Sequence, residues 1–276
     1  MDYIRADSKM NRRYMAAGNE VNTGKYETKH VLVHDVRPEL NKYTLKTTGF
    51  QLVKYESQVN DWSNMDQLNT TYGDEIRDLM RNLTGADEVI VFGPVRRTTH
   101  DKDPNKVDSA WNDQPPASDV HVDYTPIHAE CLAADFAKNN GLDIKDVKRY
   151  KMINLWRATS PGPQNWPLAL CRGDSVGDHE GVINHLIYCD KVPDLDSLPE
   201  ELPHDPMYPE GTLFTYSPNH CWTYFSNMTR DEVMLFTLYD SNKERPWRVP
   251  HCAFHNDMQG TKPRESVEIR TLCLFK

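Results

Sequence analysis

The sequence predicts a mainly β protein, a sandwich or barrel of antiparallel sheet with flanking helices. Two observations carry this. From about residue 150 onward, short apolar or alternating runs follow one another, separated by Pro- and Gly-rich turns. Helical periodicity is confined to two stretches of the first half, which places helices against one side of the sheets. A chain of 276 residues, 38% of them hydrophobic, is long enough to bury a substantial core.

In chain order, residues 1–27 are polar and predict an irregular N-terminal arm, with a single domain over 28–276. Lys29 to Asp35 and Gly49 to Val53 are strand-like, with a turn around Arg37-Pro38-Glu39. Residues 64–84 predict a helix, because Ile76, Leu79, Met80 and Leu83 fall on one helical face. Glu88 to Gly93 predicts a short buried strand, and 98–118, rich in Asp, Pro and Asn, predicts a loop. A helical insert is expected at about 126–139, where Ile127, Cys131, Leu132 and Phe136 repeat and Asn139-Asn140-Gly141 supplies a stop. Strands are then expected at Tyr150–Thr159, Leu168–Cys171, Val182–Cys189, Gly211–Pro218, Cys221–Phe225, Glu232–Tyr239 and Ser266–Phe275.

Composition excludes several classes. A net charge of −9, from 41 acidic and 32 basic residues, argues against a nucleic-acid partner, since phosphate binding draws on clustered Lys and Arg. No apolar run approaches the ~20 residues that cross a bilayer, and the N-terminus lacks the apolar stretch of a signal peptide. The six cysteines show no CxxC spacing, so reduced thiols in a cytoplasmic protein are expected rather than a disulfide framework or a thiolate zinc site.

The residues that point to chemistry begin at Val120-His121-Val122-Asp123-Tyr124. Residues i and i+2 of a strand point to one face, so His121 and Asp123 can converge on one ion. Alone, a His-x-Asp tripeptide is a weak signal. A later histidine would complete the two-His, one-carboxylate triad that leaves positions open on iron(II). Two candidates exist. His220 lies in an aromatic setting with Trp222, Tyr224 and Phe225, which also suits a pocket-wall histidine. His251 is favoured, because a ligand on the penultimate strand and an arginine on the last would share a pocket. On that last strand Arg264, Ser266, Glu268 and Arg270 alternate onto one face, with Val267 and Ile269 on the other. Two inward arginines and a serine are costly to bury without an anion, and a guanidinium fork fits a dicarboxylate. A solvent-facing edge with Arg–Glu268 pairing is the plainer alternative. A jelly-roll metalloenzyme without 2-oxoglutarate, or a non-catalytic ligand-binding β-sandwich, also remains open from these residues.

The ordered set of these motifs resembles the iron(II)/2-oxoglutarate-dependent secondary-metabolite oxygenases, the group that includes the aspergillic-acid hydroxylase/desaturase, the fungal gibberellin desaturase and a cephamycin methoxylation component. Besides the metal pair, the resemblance rests on Arg37-Pro38, Gly49 to Val53, Ile153-Asn154-Leu155-Trp156-Arg157, Pro167 to Cys171, His220 to Phe225, Tyr239-Asp240-Ser241, Pro250 to Phe254 and Arg264 to Arg270. Departures are Ala158 where proline is common, Thr237 where lysine is common, and Cys171-Arg172-Gly173 in place of a more acidic run. The resemblance implies a double-stranded β-helix (jelly-roll) core, with His121, Asp123 and His251 as ligands of Fe(II). It implies 2-oxoglutarate held by Arg264 or Arg270 with Ser266, Arg157 being a further candidate. O2 and a small, amino-acid-derived substrate complete the expectation. The outcome is left open among hydroxylation, desaturation and ring closure, aziridine-type C–N bond formation included.

Overall fold

In the computed structural model the described residues are all except 17–18, 100–112, 200–201, 203–208 and 245. Among the described residues seventeen strands are formed: β1 (Asp2–Ile4), β2 (Arg12–Ala16), β3 (Asn19–Asn22), β4 (Tyr26–Thr28), β5 (Val33–Asp35), β6 (Phe50–Lys54), β7 (Glu88–Thr98), β8 (Asp113–Gln114) and β9 (His121–Val122) in the first half. The second half adds β10 (Arg149–Ala158), β11 (Leu168–Cys171), β12 (Val182–Tyr188), β13 (Glu210–Leu213), β14 (Trp222–Tyr224), β15 (Glu232–Asp240), β16 (His251–Ala253) and β17 (Glu265–Phe275). They build two facing sheets. One runs β6-β15-β10-β17-β7-β8 and the other β3-β2-β12-β13-β9-β16-β11-β14-β5, while β1 and β4 pair separately. This is the jelly-roll arrangement, with a core between the sheets.

Strand alternation divides the six-stranded sheet into two buried faces. Met152 and Trp156 of β10, Met234 and Phe236 of β15, and Leu272 and Leu274 of β17 fill the space between the sheets. Their neighbours Ile153, Leu155, Val233, Leu235, Val267 and Ile269 face outward, onto a second core. Helices α1 (Met65–Gln67) and α2 (Gly73–Thr84), joined by a π turn at Leu68–Tyr72, cover that outer face. Ile76, Leu79 and Met80 are buried there, whereas Leu83, grouped with them by periodicity, is exposed. Gly85 ends α2 at φ +70°, the left-handed conformation that suits glycine. Helix α3 (Pro126–Asn139) begins at Thr125, whose side chain accepts from His128 N, and sends Ala129, Ala133 and Ala137 into the inter-sheet core.

Residues 1–27 are not an irregular arm. β2 pairs in parallel with β12, β3 pairs back onto β2, and β1 pairs with β4. Tyr3, Ile4 and Tyr14 are buried by this pairing. The strand expected over 211–218 stops at Leu213, because Phe214 leaves the ladder to bond Val120 and Ile4 through its backbone. Residues 100–112 of the loop expected at 98–118 lie outside the described residues. Among the described residues no helix is long and apolar enough to cross a membrane.

Candidate metal centre

His121 sits on β9, a two-residue strand wedged between β13 and β16. Its antiparallel partner is His251, the first residue of β16. Directly opposed residues on adjacent strands share a face, with Cβ atoms about 5 Å apart; the two imidazole rings accordingly lie 4.4 Å apart, centre to centre. Asp123, two residues beyond His121, returns to the same place. Its Oδ1 is 3.3 Å from His251 Nε2 and 3.7 Å from His121 Nε2. One ligand atom from each of the three residues falls within 4.8 Å of the others.

The imidazoles are oriented by the backbone. His121 Nδ1 is 2.7 Å from Asp119 O, and His251 Nδ1 is 3.2 Å from Val249 O. A carbonyl only accepts, so Nδ1 carries a proton in each ring, which leaves Nε2, the atom facing Asp123, as the one each ring could offer to a metal. Burial pushes the His121 pKa down, and neighbouring His251 adds to this. Phe236 packs 4.6 Å from the His251 ring. For Asp123, burial works against the charge, but Arg270 beside it and the two histidines outweigh burial and hold the carboxyl well below its ordinary range. Two imidazole Nε2 atoms and one ionised carboxylate, converging from two strands and the segment after β9, are a donor set that fits iron(II).

Arg270 Nε donates to Asp123 Oδ2 at 2.7 Å, and its Nη2 donates to Glu268 Oε1 at 3.1 Å. Arg97 donates to the same Glu268 oxygen. Arg264 differs. Its Nε donates to Ser266 Oγ and its Nη1 to Trp166 O, both at 3.0 Å, and the guanidinium stacks 5.1 Å from the Trp156 ring. No carboxylate bonds it among the described residues. Burial, with Arg97 nearby, pushes its pKa down from 12.5 to about 9. A buried cation that no carboxylate bonds is costly.

Ser266 and Arg270 therefore lie on the inner face of β17, and Arg264, the residue just before the strand, points to the same side, over Trp156. His251 does not lie beside them in one sheet, however: β16 and β17 belong to opposite sheets and meet across the interior. Arg157 is a correction. It sits on the outer face of β10, its guanidinium 5.2 Å from Trp62 and 5.3 Å from Tyr72, donating to Tyr72 Oη, Tyr55 O and Arg230 O. All of β10 from Lys151 on is buried on both faces, so burial in the sequence pattern does not reveal which way Arg157 points. His220 is also elsewhere, 2.7 Å from Glu180 Oε2 and stacked on Tyr3.

A cavity of about 490 Å³ opens beside His121 and Asp123. Arg97, Arg270 and Val95 line one side; Arg13, Met15, Glu20, Asn22 and Tyr26 of the N-terminal strands line another. Arg264 and Ser266 are not in its wall. The sequence carries no signal for the N-terminal contribution, since it depends on β2 pairing with a strand some 170 residues away.

The fold is shared with known proteins. The iron and alpha-ketoglutarate-dependent endoperoxidase NvfI superimposes with a TM-score of 0.79 at 23% identity, over 100% of this chain and 96% of that one. In sequence, the hydroxylase/desaturase efuI of Hormonema carpetanum is 29% identical over 263 residues, 91% of this chain and 85% of that protein. The Fe(II)/2-oxoglutarate-dependent dioxygenase nvfI of Aspergillus novofumigatus is 27% identical over 250 residues, 88% and 82% of the two chains. A family model described as "Oxidoreductase/YMDC permease-like domain" matches residues 1–274, and the chain belongs to that family.

Proposed function

We propose that this protein is an iron(II)- and 2-oxoglutarate-dependent oxygenase that oxidises an unactivated C–H bond of a small molecule. The observation that carries the reading is the convergence of His121 Nε2, His251 Nε2 and the Asp123 carboxylate, with the buried Arg264, which no carboxylate bonds among the described residues, just before β17. The names of the relatives, hydroxylase/desaturase and Fe(II)/2-oxoglutarate-dependent dioxygenase, agree with it.

When bound, the iron and 2-oxoglutarate would together supply the oxidising power: 2-oxoglutarate would lose CO2 and take one oxygen atom of O2 to become succinate, and the other atom would enter the substrate or leave as water with the two hydrogens the substrate loses. The protein supplies position and shelter. His121, Asp123 and His251 hold the metal, and the Nδ1 bonds to backbone carbonyls keep both rings from rotating away. Arg270 keeps Asp123 ionised and fixes its second oxygen. Arg264, with Ser266 orienting its fork, receives the distal carboxylate of 2-oxoglutarate. The cavity beside His121 takes the substrate.

An amino-acid-derived substrate suits this wall. It presents Arg13 paired with Asp119 and Glu20 on one side, and Arg97 with Glu268 and Arg270 on the other, so ammonium, carboxylate or amide groups each find a partner. The six thiols are free, which suits a reducing compartment such as the cytoplasm.

The test is to add iron(II) and 2-oxoglutarate to the protein without oxygen. A visible charge-transfer absorption should form, and O2 should then release succinate in a substrate-dependent manner. Absence of the absorption, with no succinate from any amine or amino acid offered, rejects the reading.

A further inference from the structure

Asn154 lies in the middle of β10 with no exposed surface, yet neither its Oδ1 nor its Nδ2 has a hydrogen-bond partner. A buried amide satisfied at neither atom is a large penalty for a residue that leucine could replace at similar shape. Packing alone gives no reason for it.

Its neighbours give one. Across the sheet Asn154 is paired with Arg270 on β17 and with Phe236 on β15. Arg270 holds Asp123, and Phe236 packs on the His251 ring, so the amide is one side chain removed from two metal ligands. Two residues along the same face comes Trp156, whose Nε1 is also buried without a partner. The Trp156 ring lies under the Arg264 guanidinium. The inner face of β10 thus carries a row of unused hydrogen-bonding atoms leading from the metal ligands to Arg264, which no carboxylate bonds among the described residues. Residues i and i+2 of a strand are about 7 Å apart, close to the span of a five-carbon diacid.

We infer that Asn154 binds the keto-acid end of 2-oxoglutarate, its Nδ2 donating to the carboxylate beside the metal, while Trp156 Nε1 donates further along and Arg264 takes the distal carboxylate. This rests on the cofactor reading above and goes beyond it. It divides the diacid between two residues, which can be told apart with pyruvate, a 2-oxo acid that has no distal carboxylate.

The experiment measures anaerobic binding of 2-oxoglutarate and of pyruvate to the iron-loaded protein by calorimetry, and melting of the metal-free protein. Asn154→Leu should bind both acids about tenfold more weakly, the loss of one hydrogen bond to a charged group. Its iron affinity should stay within about threefold, and its metal-free melting temperature should equal or exceed that of the parent, because an unsatisfied amide has been removed. Arg264→Leu should weaken 2-oxoglutarate alone and leave pyruvate unchanged. Unchanged affinity for both acids in Asn154→Leu, with a lower melting temperature, would make Asn154 a structural residue and overturn the inference. If Asn154→Leu does not fold, Asn154→Ala carries the same binding test with the same expected loss. A parent protein that binds neither iron nor 2-oxoglutarate overturns the cofactor reading itself, a result distinct from unchanged affinity in the variant.

Discussion

Two arginines, both fully buried, show how partners rather than burial decide a residue's role. Arg157 donates from Nε to Tyr72 Oη and from Nη1 to the carbonyls of Tyr55 and Arg230, with its Nη2 buried and unpartnered, between two aromatic rings on the helix side of the sheet. Arg264 has one hydroxyl, one carbonyl and the Trp156 ring; neither arginine bonds a carboxylate among the described residues, and what separates them is that Arg264 lies on the inter-sheet side, which the metal ligands share. Arg264→Leu should therefore raise the 2-oxoglutarate Kd by roughly ten- to a hundredfold, the worth of a charge-assisted bond, while sparing stability. Arg157→Leu should do the reverse, costing about 2 kcal/mol in a urea titration without changing that Kd. The two distal histidines separate similarly. His251→Ala should abolish stoichiometric iron(II) binding. His220→Ala should retain it and instead lower stability by about 1–3 kcal/mol, because Tyr3 and Glu180 lose a buried partner. Iron retained by His251→Ala and lost by His220→Ala would reverse the ligand assignment.

At the scale of elements, what could be read in the sequence was whatever depends on local spacing. His121-Val122-Asp123 places two donors on one face wherever a strand forms, and the 264–270 alternation was readable because its outward partners, Val267 and Ile269, are apolar. The end of α3 was readable from the Asn139-Asn140-Gly141 stop. Long-range pairing was not readable. β2 has no strong alternation, since Arg12 and Tyr14 are buried while Arg13 turns to the cavity, and only its parallel pairing with β12 makes it a strand. The same N-terminal element walls the cavity, so it should matter to substrate and not to metal. Arg13 holds Asp119 at 3.0 Å, directly behind His121. Arg13→Ala should raise the substrate KM severalfold, with iron and 2-oxoglutarate affinities changed by less than about twofold; equal losses of all three would mean that the element supports the metal centre instead.

For the whole molecule, the two sheets are joined at the site by charge as well as by core packing. Asp123 follows β9 of one sheet, and Arg270, Glu268 and Arg97 belong to the other, so a single chain of ion pairs crosses the interior. Glu268 is its middle member. Burial alone would raise its pKa, but Arg97 and Arg270 outweigh burial and hold it at about 2, below the ordinary 4.5. A carboxyl depressed in this way contributes stability that is complete above about pH 4.5 and is lost as the pH falls towards 2. Glu268→Gln takes the carboxylate from Arg97 and leaves Arg270 with Asp123 alone, and should cost about 3 kcal/mol near neutral pH. Because the variant has no such carboxyl to protonate, its stability should fall less steeply between pH 4.5 and 2, and the two stability curves should converge there. Chemical denaturation across that range measures both. Parallel curves would mean that other carboxylates govern the acid limb and that the crossing between the sheets does not depend on Glu268.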